Sequence, residues 1–158
     1  MSIDPDTFRA VLGRFASGVT VVTTRDADGV DHGMTVSAFC SASLVPPLVL
    51  VCVDRAASTL PALERGTHFA VNILAQGQEA LSRRFSWHEA NRFDGVGYTR
   101  GLTGAVLLDE SLAWLECRIV ARHPTGDHVV VVGEVEAAEA SSERPLLYYR
   151  GGYAQLER

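Results

Sequence analysis

The alternation of apolar and polar residues predicts one helix followed mainly by strands. Apolar residues recur at helical spacing from Phe8 to Phe15, with Asp4 as N-cap, Pro5 at the first helical position and Gly18 as the predicted end. Apolar and β-branched runs then predict six or seven strands. They cover residues 19–24, 34–40, 48–53, 69–74, 112–122, 129–135 and 146–149, and the run 48–53 is expected to be fully buried.

Turn residues and short helices connect these strands. Asp28-Gly29 and Gly126-Asp127 predict hairpin turns, and Pro46-Pro47 breaks the chain. Short helices are expected at 60–63 and 78–85, whereas residues 87–104 are typical of a loop. Hairpins with few helices between them favour a mainly β fold, a closed antiparallel barrel in a single domain over residues 1–158.

Composition and charge exclude several classes of protein. The chain has 158 residues and a net charge of −5, without a Lys/Arg cluster, which argues against nucleic-acid binding. Its longest apolar run is far shorter than the ~20 residues that span a bilayer, so no membrane role is predicted. Three cysteines without a C-x-x-C pair, and no export signal, favour a cytoplasmic protein.

Standard catalytic motifs are missing from the sequence. It contains neither a G-x-S-x-G elbow nor a Walker phosphate loop. Its five histidines form no i, i+4 pair, so no metal site is predicted.

The stretch 33–47, GMTVSAFCSASLVPP, combines small residues with four hydroxyl side chains. Such a segment can present peptide N–H groups and short donors to a flat ligand with polar edges, and our hypothesis is a flavin. Donors fixed near N1 and the C2 carbonyl would stabilise the negative charge of reduced flavin. The alternative interpretation is a tightly packed barrel edge without a ligand.

Two further segments are candidates for binding. Ser58 and Thr59 follow a buried strand and open a helix, where hydroxyls and free N–H groups bind phosphate. An ordinary N-cap is the alternative. His128 follows a Gly-Asp turn, which would place it at the barrel mouth beside a bound ring, or leave it as an incidental turn neighbour.

Several segments occur together in a recognisable order. They are SGVTVVTT at 17–24, GMTVSAFCSASLVPPLVL at 33–50, FAVNIL at 69–74, LEC at 115–117, GDH at 126–128, GEV at 133–135 and PLLYYRGGY at 145–153. In this order they resemble the flavin reductase family of the FMN-binding split-barrel type. Known members include the small reductase components of two-component flavin-dependent monooxygenases.

The resemblance implies an antiparallel split β-barrel (Greek-key) with a few short flanking helices, and it implies site residues. Flavin would contact Thr35, Val36, Ser37, Ala38, Phe39, Ser41, Ala42, Ser43, Cys52, Val53, Asp54, Ser58, Thr59, Phe85 and Ser86. Within this set, residues 52–54 would act through their backbone and Ser58 and Thr59 would hold phosphate. Ala57 stands where some members carry another hydroxyl.

The nicotinamide side is implied in the same way. His128, Arg150, Gly151, Gly152 and Tyr153 would face the nicotinamide, and His128 would be the catalytic contributor, orienting nicotinamide or stabilising charge.

By the same resemblance the chain would be a homodimeric NAD(P)H:flavin oxidoreductase. It would transfer hydride from NADH or NADPH to FMN or FAD and supply reduced flavin to a separate flavin-dependent monooxygenase. Two alternatives stay open: a non-catalytic flavin carrier or sensor, and an enzyme that acts directly on a bound organic substrate. The sequence does not distinguish FMN from FAD. It has no clear Arg pair for the 2′-phosphate of NADPH, which slightly favours NADH.

Overall fold

The computed structural model describes residues 1–87 and 90–157. These residues form three short α-helices, one 3₁₀ turn and twelve strands. The helices are α1 (Pro5–Leu12), α2 (Leu60–Arg65) and α3 (Glu79–Phe85), and the 3₁₀ turn is Gln76–Gln78. The strands are β1 (Ser17–Gly18), β2 (Thr20–Arg25), β3 (Asp31–Val36), β4 (Phe39–Ser43), β5 (Leu48–Asp54), β6 (His68–Ile73), β7 (Tyr98–Arg100), β8 (Val106–Leu108), β9 (Ala113–Thr125), β10 (His128–Ala140), β11 (Leu147–Tyr149) and β12 (Gly152–Ala154).

Helix α1 starts where the sequence predicts and ends earlier. The carboxylate of Asp4 accepts a hydrogen bond from the Thr7 N–H at 2.9 Å, and Pro5 is the first helical residue. The helix ends at Leu12, capped by Gly13, so the predicted end at Gly18 is wrong. Gly18 instead pairs with β11, because the chain is already extended there.

Seven strands form the main antiparallel sheet, in the order β3-β2-β6-β9-β10-β5-β4. The two strands at the ends of this order, β3 and β4, are consecutive in the chain and separated only by Ser37 and Ala38. The sheet must therefore curl until its edges meet, which closes a barrel with a gap between the two edges. The predicted antiparallel barrel with short flanking helices is confirmed.

Two predictions about the strands around this gap are wrong. Residues 34–40 do not form one strand, because the chain leaves β3 after Val36 and joins the opposite edge at Phe39. The Cys52 N–H donates to the Ala38 carbonyl at 3.0 Å, and this bond attaches the two-residue link between β3 and β4 to β5. Strand β5 is also not fully buried, because its residues alternate between the core and the outer face of the sheet.

The region 87–104, predicted as a loop, contains β7, which pairs with the unpredicted β8. Arg100 in β7 donates two hydrogen bonds to the Asp31 carboxylate, at 2.8 and 2.7 Å, and so joins this hairpin to β3. Strands β7, β8 and β12 have three residues each, too few for an alternating pattern to be detected.

Valines of β5 and β10 and residues of β6 and β9 fill the barrel. Gly133 lies at the tightest point, where an added Cβ would be 2.7 Å from the Phe69 ring and 2.8 Å from the Cys117 Cβ. No helix among the described residues is long and apolar enough to cross a membrane.

Candidate functional site

Helix α3 is fixed against the gap between β3 and β4 through Ser82. The Thr35 hydroxyl donates to the Ser82 carbonyl at 2.6 Å, and the Ser86 hydroxyl donates to the same carbonyl at 2.8 Å. The Ser82 hydroxyl is bonded to the Tyr153 hydroxyl at 2.6 Å. One buried serine therefore connects residues predicted for flavin contact with one predicted for nicotinamide contact.

Two aromatic rings cover the middle of β3 at Gly33. Phe85 and Phe93 meet edge to face with ring centroids 5.0 Å apart. A Cβ at position 33 would lie 2.9 Å from Phe93 and 3.1 Å from Phe85, so a larger residue would displace the rings. Gly33 thus allows the segment that follows α3 to pack directly onto β3.

Five predicted flavin residues share one small cavity of about 170 Å³. They are Thr35, Ser58, Thr59, Phe85 and Ser86. The cavity joins β3, the start of α2 and the end of α3, segments that lie far apart in the sequence. Its lining carries four hydroxyl groups and the Phe85 ring, groups that can hydrogen-bond a polar chain and pack against a flat ring.

Arg92 completes this cavity and was not predicted from the sequence. Its Nη1 donates to the Gly33 carbonyl at 2.7 Å and, more weakly, to the Phe85 carbonyl at 3.3 Å. Partial burial lowers the pKa of the guanidinium below its usual value, yet an arginine remains charged at neutral pH. No carboxylate among the described residues pairs with it, so its remaining donors are suited to an anion.

Ser58 and Thr59 lie at the start of α2, as predicted. Thr59 is buried and makes no capping hydrogen bond to the helix, and Ser58 is exposed. Helix α2 has only six residues, so the hydroxyls and Arg92, rather than a helix dipole, are the groups that fit a phosphate.

The predicted stretch from Val36 to Ser43 divides between core and surface. Val36 points into the barrel, and its carbonyl accepts the Thr20 hydroxyl at 2.6 Å, so its side chain does not face the gap. The residues at the crossing and along the barrel edge are exposed or half-buried: Ser37, Ala38, Phe39, Ser41, Ala42 and Ser43. Their polar backbone and hydroxyls border the gap beside Thr35.

On β5, Val53 is buried in the core, and Cys52 and Asp54 lie on the outer face. Burial raises the pKa of the Cys52 thiol. Asp54 pairs in register with His128 at the first position of β10.

His128 lies at this end of the sheet, away from the small cavity. Its Nδ1 is 2.7 Å from the Asp127 carboxylate, and this contact lowers the pKa of Asp127. The side chain is half-exposed, which leaves Nε2 available to a ligand. The described lining of the Thr35 cavity does not include His128.

The segment 150–153 forms the tight turn between β11 and β12. Arg150 and Gly151 both have positive φ, 52° and 76°, as a two-residue hairpin turn requires. The guanidinium carbon of Arg83 lies 4.8 Å from the centre of the Tyr153 ring. Tyr153 therefore borders α3, whereas Arg150 bonds through its N–H to the Gly13 carbonyl at 2.9 Å.

The described residues, 1–87 and 90–157, hold no cluster of three His, Cys, Asp or Glu side chains suited to a metal ion.

Comparison with known proteins gives consistent matches. The family described as "Flavin reductase like domain" matches residues 12–157. The chain is 42% identical over 157 residues to the reductase subunit HsaB of a flavin-dependent monooxygenase from Rhodococcus jostii, covering 99% of this chain and 80% of that protein. It is also 42% identical over 157 residues to a flavin reductase (NADH) from Kitasatospora aureofaciens, covering 97% of this chain and 82% of that protein.

Among solved structures, the chain is similar to the NADH:FAD oxidoreductase SgcE6 of Streptomyces globisporus, in complex with NAD and FAD fragments. The TM-score is 0.92 and the identity 37%, over 99% of this chain and 96% of that one.

Proposed function

The chain belongs to the flavin reductase-like domain family, and from that premise we propose that it reduces FMN or FAD with NADH or NADPH at the cavity between β3, α2 and α3. The chemistry that flavin and nicotinamide supply when bound is hydride transfer from nicotinamide C4 to flavin N5. The observation that carries the proposal is the meeting of Thr35, Ser58, Thr59 and Arg92 in one cavity beside the exposed barrel gap.

The residues of this chain would align and hold the two partners. Hydroxyls and Arg92 would fix the phosphate end, and the exposed peptide groups of residues 37–43 would border the ring. Holding two reactants in register lowers the barrier without any side chain acting as acid or base. His128 would orient nicotinamide from the outer face of the sheet, with Asp127 fixing its ring.

Two alternatives can be separated by one assay. Purified protein is mixed with NADH and excess FMN, and absorbance at the nicotinamide band is followed. Many turnovers per chain support the reductase. A bound flavin that is never reduced indicates a carrier or sensor, and reduction only with an added organic substrate indicates an enzyme acting directly on that substrate.

Reduced flavin would be passed on to a separate flavin-dependent monooxygenase in the cytoplasm. The support is that relatives are named as reductase subunits or components of such monooxygenases. The proposal requires that flavin leaves the protein after reduction. Under anaerobic conditions, excess FMN should become reduced well beyond one equivalent per chain, and reduction that stops at one equivalent would contradict release.

A homodimer is proposed from two apolar segments that remain exposed. Helix α1 has no buried residue, and Phe8 and Val11 are more than half exposed. Phe15 is 82% exposed, and Leu44 and Val45 are 86% and 88% exposed beside the barrel gap. A second copy would remove this surface from water. Light scattering should give twice 17.0 kDa, and a monomer at micromolar concentration would contradict the proposal.

A further inference from the structure

Tyr153 belongs to a small sheet that is separate from the barrel. This sheet has the order β1-β11-β12, and its strands have two, three and three residues. Strand β12, which carries Tyr153, is its edge strand and pairs with β11. So short a strand pairing is marginally stable by itself. Side-chain contacts with the rest of the molecule therefore decide where Tyr153 lies relative to the flavin cavity.

Two consecutive residues of α3 make such contacts with Tyr153. The Ser82 hydroxyl is 2.6 Å from the Tyr153 hydroxyl, and either oxygen can be the donor. The guanidinium carbon of Arg83 lies 4.8 Å from the centre of the Tyr153 ring. Arg83 is itself held by the Glu79 carboxylate, four residues earlier on α3, through bonds of 3.1 and 2.8 Å. Helix α3 thus fixes both the hydroxyl end and the ring face of the tyrosine.

The backbone and the side chain of Ser82 serve different partners. Its carbonyl accepts the hydroxyls of Thr35 and Ser86, at 2.6 and 2.8 Å, and both of these residues line the flavin cavity. Its hydroxyl bonds Tyr153 on the other side. Ser82 is 0% exposed, so bulk water does not compete for either contact. A substitution that removes the hydroxyl keeps the carbonyl, so an experiment can separate the two sides.

We propose that Ser82 is a positioning residue for the nicotinamide, which acts through its hydrogen bond to Tyr153 and fixes that side chain relative to the flavin cavity. The inference rests on the proposed reductase function and on the prediction that Tyr153 faces the nicotinamide. Reacting atoms must be held about 3–3.5 Å apart for efficient transfer. The groups that face the nicotinamide therefore need a fixed position relative to those that hold the flavin, and Ser82 contacts both sets.

The competing explanation is that the Ser82 hydroxyl merely holds α3 against the rest of the molecule. The helix keeps other attachments when this hydroxyl is lost. Phe85 is buried in the core, and its carbonyl accepts a hydrogen bond from Arg92 at 3.3 Å. The Thr35 hydroxyl still donates to the carbonyl at position 82. Ser82→Ala is therefore expected to leave α3 and the flavin cavity in place.

The test compares the wild type with Ser82→Ala, Tyr153→Phe and the double variant. Calorimetry gives the dissociation constant of NAD⁺ for the protein loaded with FMN, and quenching of flavin fluorescence gives that of FMN. Each single change should weaken NAD⁺ about three- to tenfold and raise the KM for NADH by the same factor, as expected for one net hydrogen bond. The double variant should be no weaker than either single one, because both changes break the same bond. FMN should bind all four proteins equally.

Ser111→Ala is the matched control. The Ser111 hydroxyl oxygen is buried and has no hydrogen-bond partner among the described residues. Its removal therefore deletes a buried serine hydroxyl without breaking a bond, and both NAD⁺ and FMN should bind as they bind the wild type.

Three results would overturn the positioning role. They are an unchanged dissociation constant for NAD⁺ in Ser82→Ala, an equal weakening of FMN and NAD⁺ in that variant, and losses that add in the double variant. The second result would show that the hydroxyl merely holds α3.

The proposed function is tested separately, by turnover of the wild type. If the wild type oxidises NADH and Ser82→Ala has the same KM for NADH, the positioning role is rejected and the reductase stands. No oxidation of NADH by the wild type with either FMN or FAD would reject the reductase itself.

Discussion

Replacing Arg92 with methionine should weaken the binding of FMN and leave riboflavin binding nearly unchanged. Methionine keeps much of the apolar stem and removes the charge and the donors. Riboflavin has the same ring and ribityl chain as FMN but no phosphate, so the pair isolates the contact that Arg92 is proposed to make.

The magnitude follows from the donors that Arg92 has left. A guanidinium has five N–H donors, and in this structure one nitrogen, Nη1, is used on the carbonyls of Gly33 and Phe85. A hydrogen bond to a charged group contributes about 1.5–3 kcal/mol. With one lost, the dissociation constant for FMN should rise about 10- to 100-fold, at ~1.4 kcal/mol for each factor of ten.

Titration of flavin fluorescence measures both constants, and Arg92→Lys is the matched control. Lysine keeps the charge but cannot bridge a carbonyl and a phosphate with a planar fork, so an intermediate loss is expected. If Arg92 serves only to hold the segment after α3 against β3, its replacement will weaken the binding of FMN and of riboflavin equally. That result, or no change for FMN, would refute the assignment.

Four further predictions address other parts of the molecule. His128→Ala should lower the turnover number well before it lowers flavin affinity, and unchanged NADH oxidation would remove this residue from the mechanism. Gly133→Ala should lower the free energy of unfolding by about 1–3 kcal/mol, because its methyl group overlaps core atoms; an unchanged urea midpoint would show that the core relaxes. The pKa of Asp31 lies below its usual value because Arg100 donates a hydrogen bond to its carboxylate. The ionised carboxylate therefore stabilises the folded protein above the unfolded pKa near 3.8, and this contribution is lost as the pH falls through the lower folded pKa. The difference in unfolding free energy between wild type and Asp31→Asn should therefore be larger at neutral pH than in acid strong enough to protonate the folded carboxylate, and a difference independent of pH would contradict this. Burial raises the pKa of Cys117 to about 12, so this thiol should react with a disulfide reagent at mildly alkaline pH only after unfolding, and rapid reaction in the native protein would contradict its burial.

Local patterns predicted the parts of the fold that depend on neighbours in sequence. The Asp4-Pro5 helix start and the Gly126-Asp127 turn both involve contacts within a few residues, and both are confirmed. The break between β3 and β4 was missed, because the alternation of apolar residues at Met34, Val36, Ala38 and Cys40 continues across it.

The candidate site was predictable to a similar degree. Thr35, Ser58 and Phe85 were named from the sequence and meet in one cavity. Ser82 and Arg92 were not named, because their partners lie more than forty residues away in the sequence. Arg92 donates to the Gly33 carbonyl, and the Ser82 carbonyl accepts from the Thr35 hydroxyl. In the sequence, Arg92 is one charged residue within a segment predicted as a loop, and nothing near it in the chain indicates a binding role.

The central claim is that this chain catalyses flavin reduction by reduced nicotinamide. Steady-state oxidation of NADH by catalytic amounts of the purified protein, with FMN or FAD in excess, tests it most directly. We predict many turnovers per chain, with a rate proportional to protein concentration and dependent on added flavin. A protein that binds flavin but leaves NADH unoxidised, with either flavin and with either NADH or NADPH, would contradict the claim.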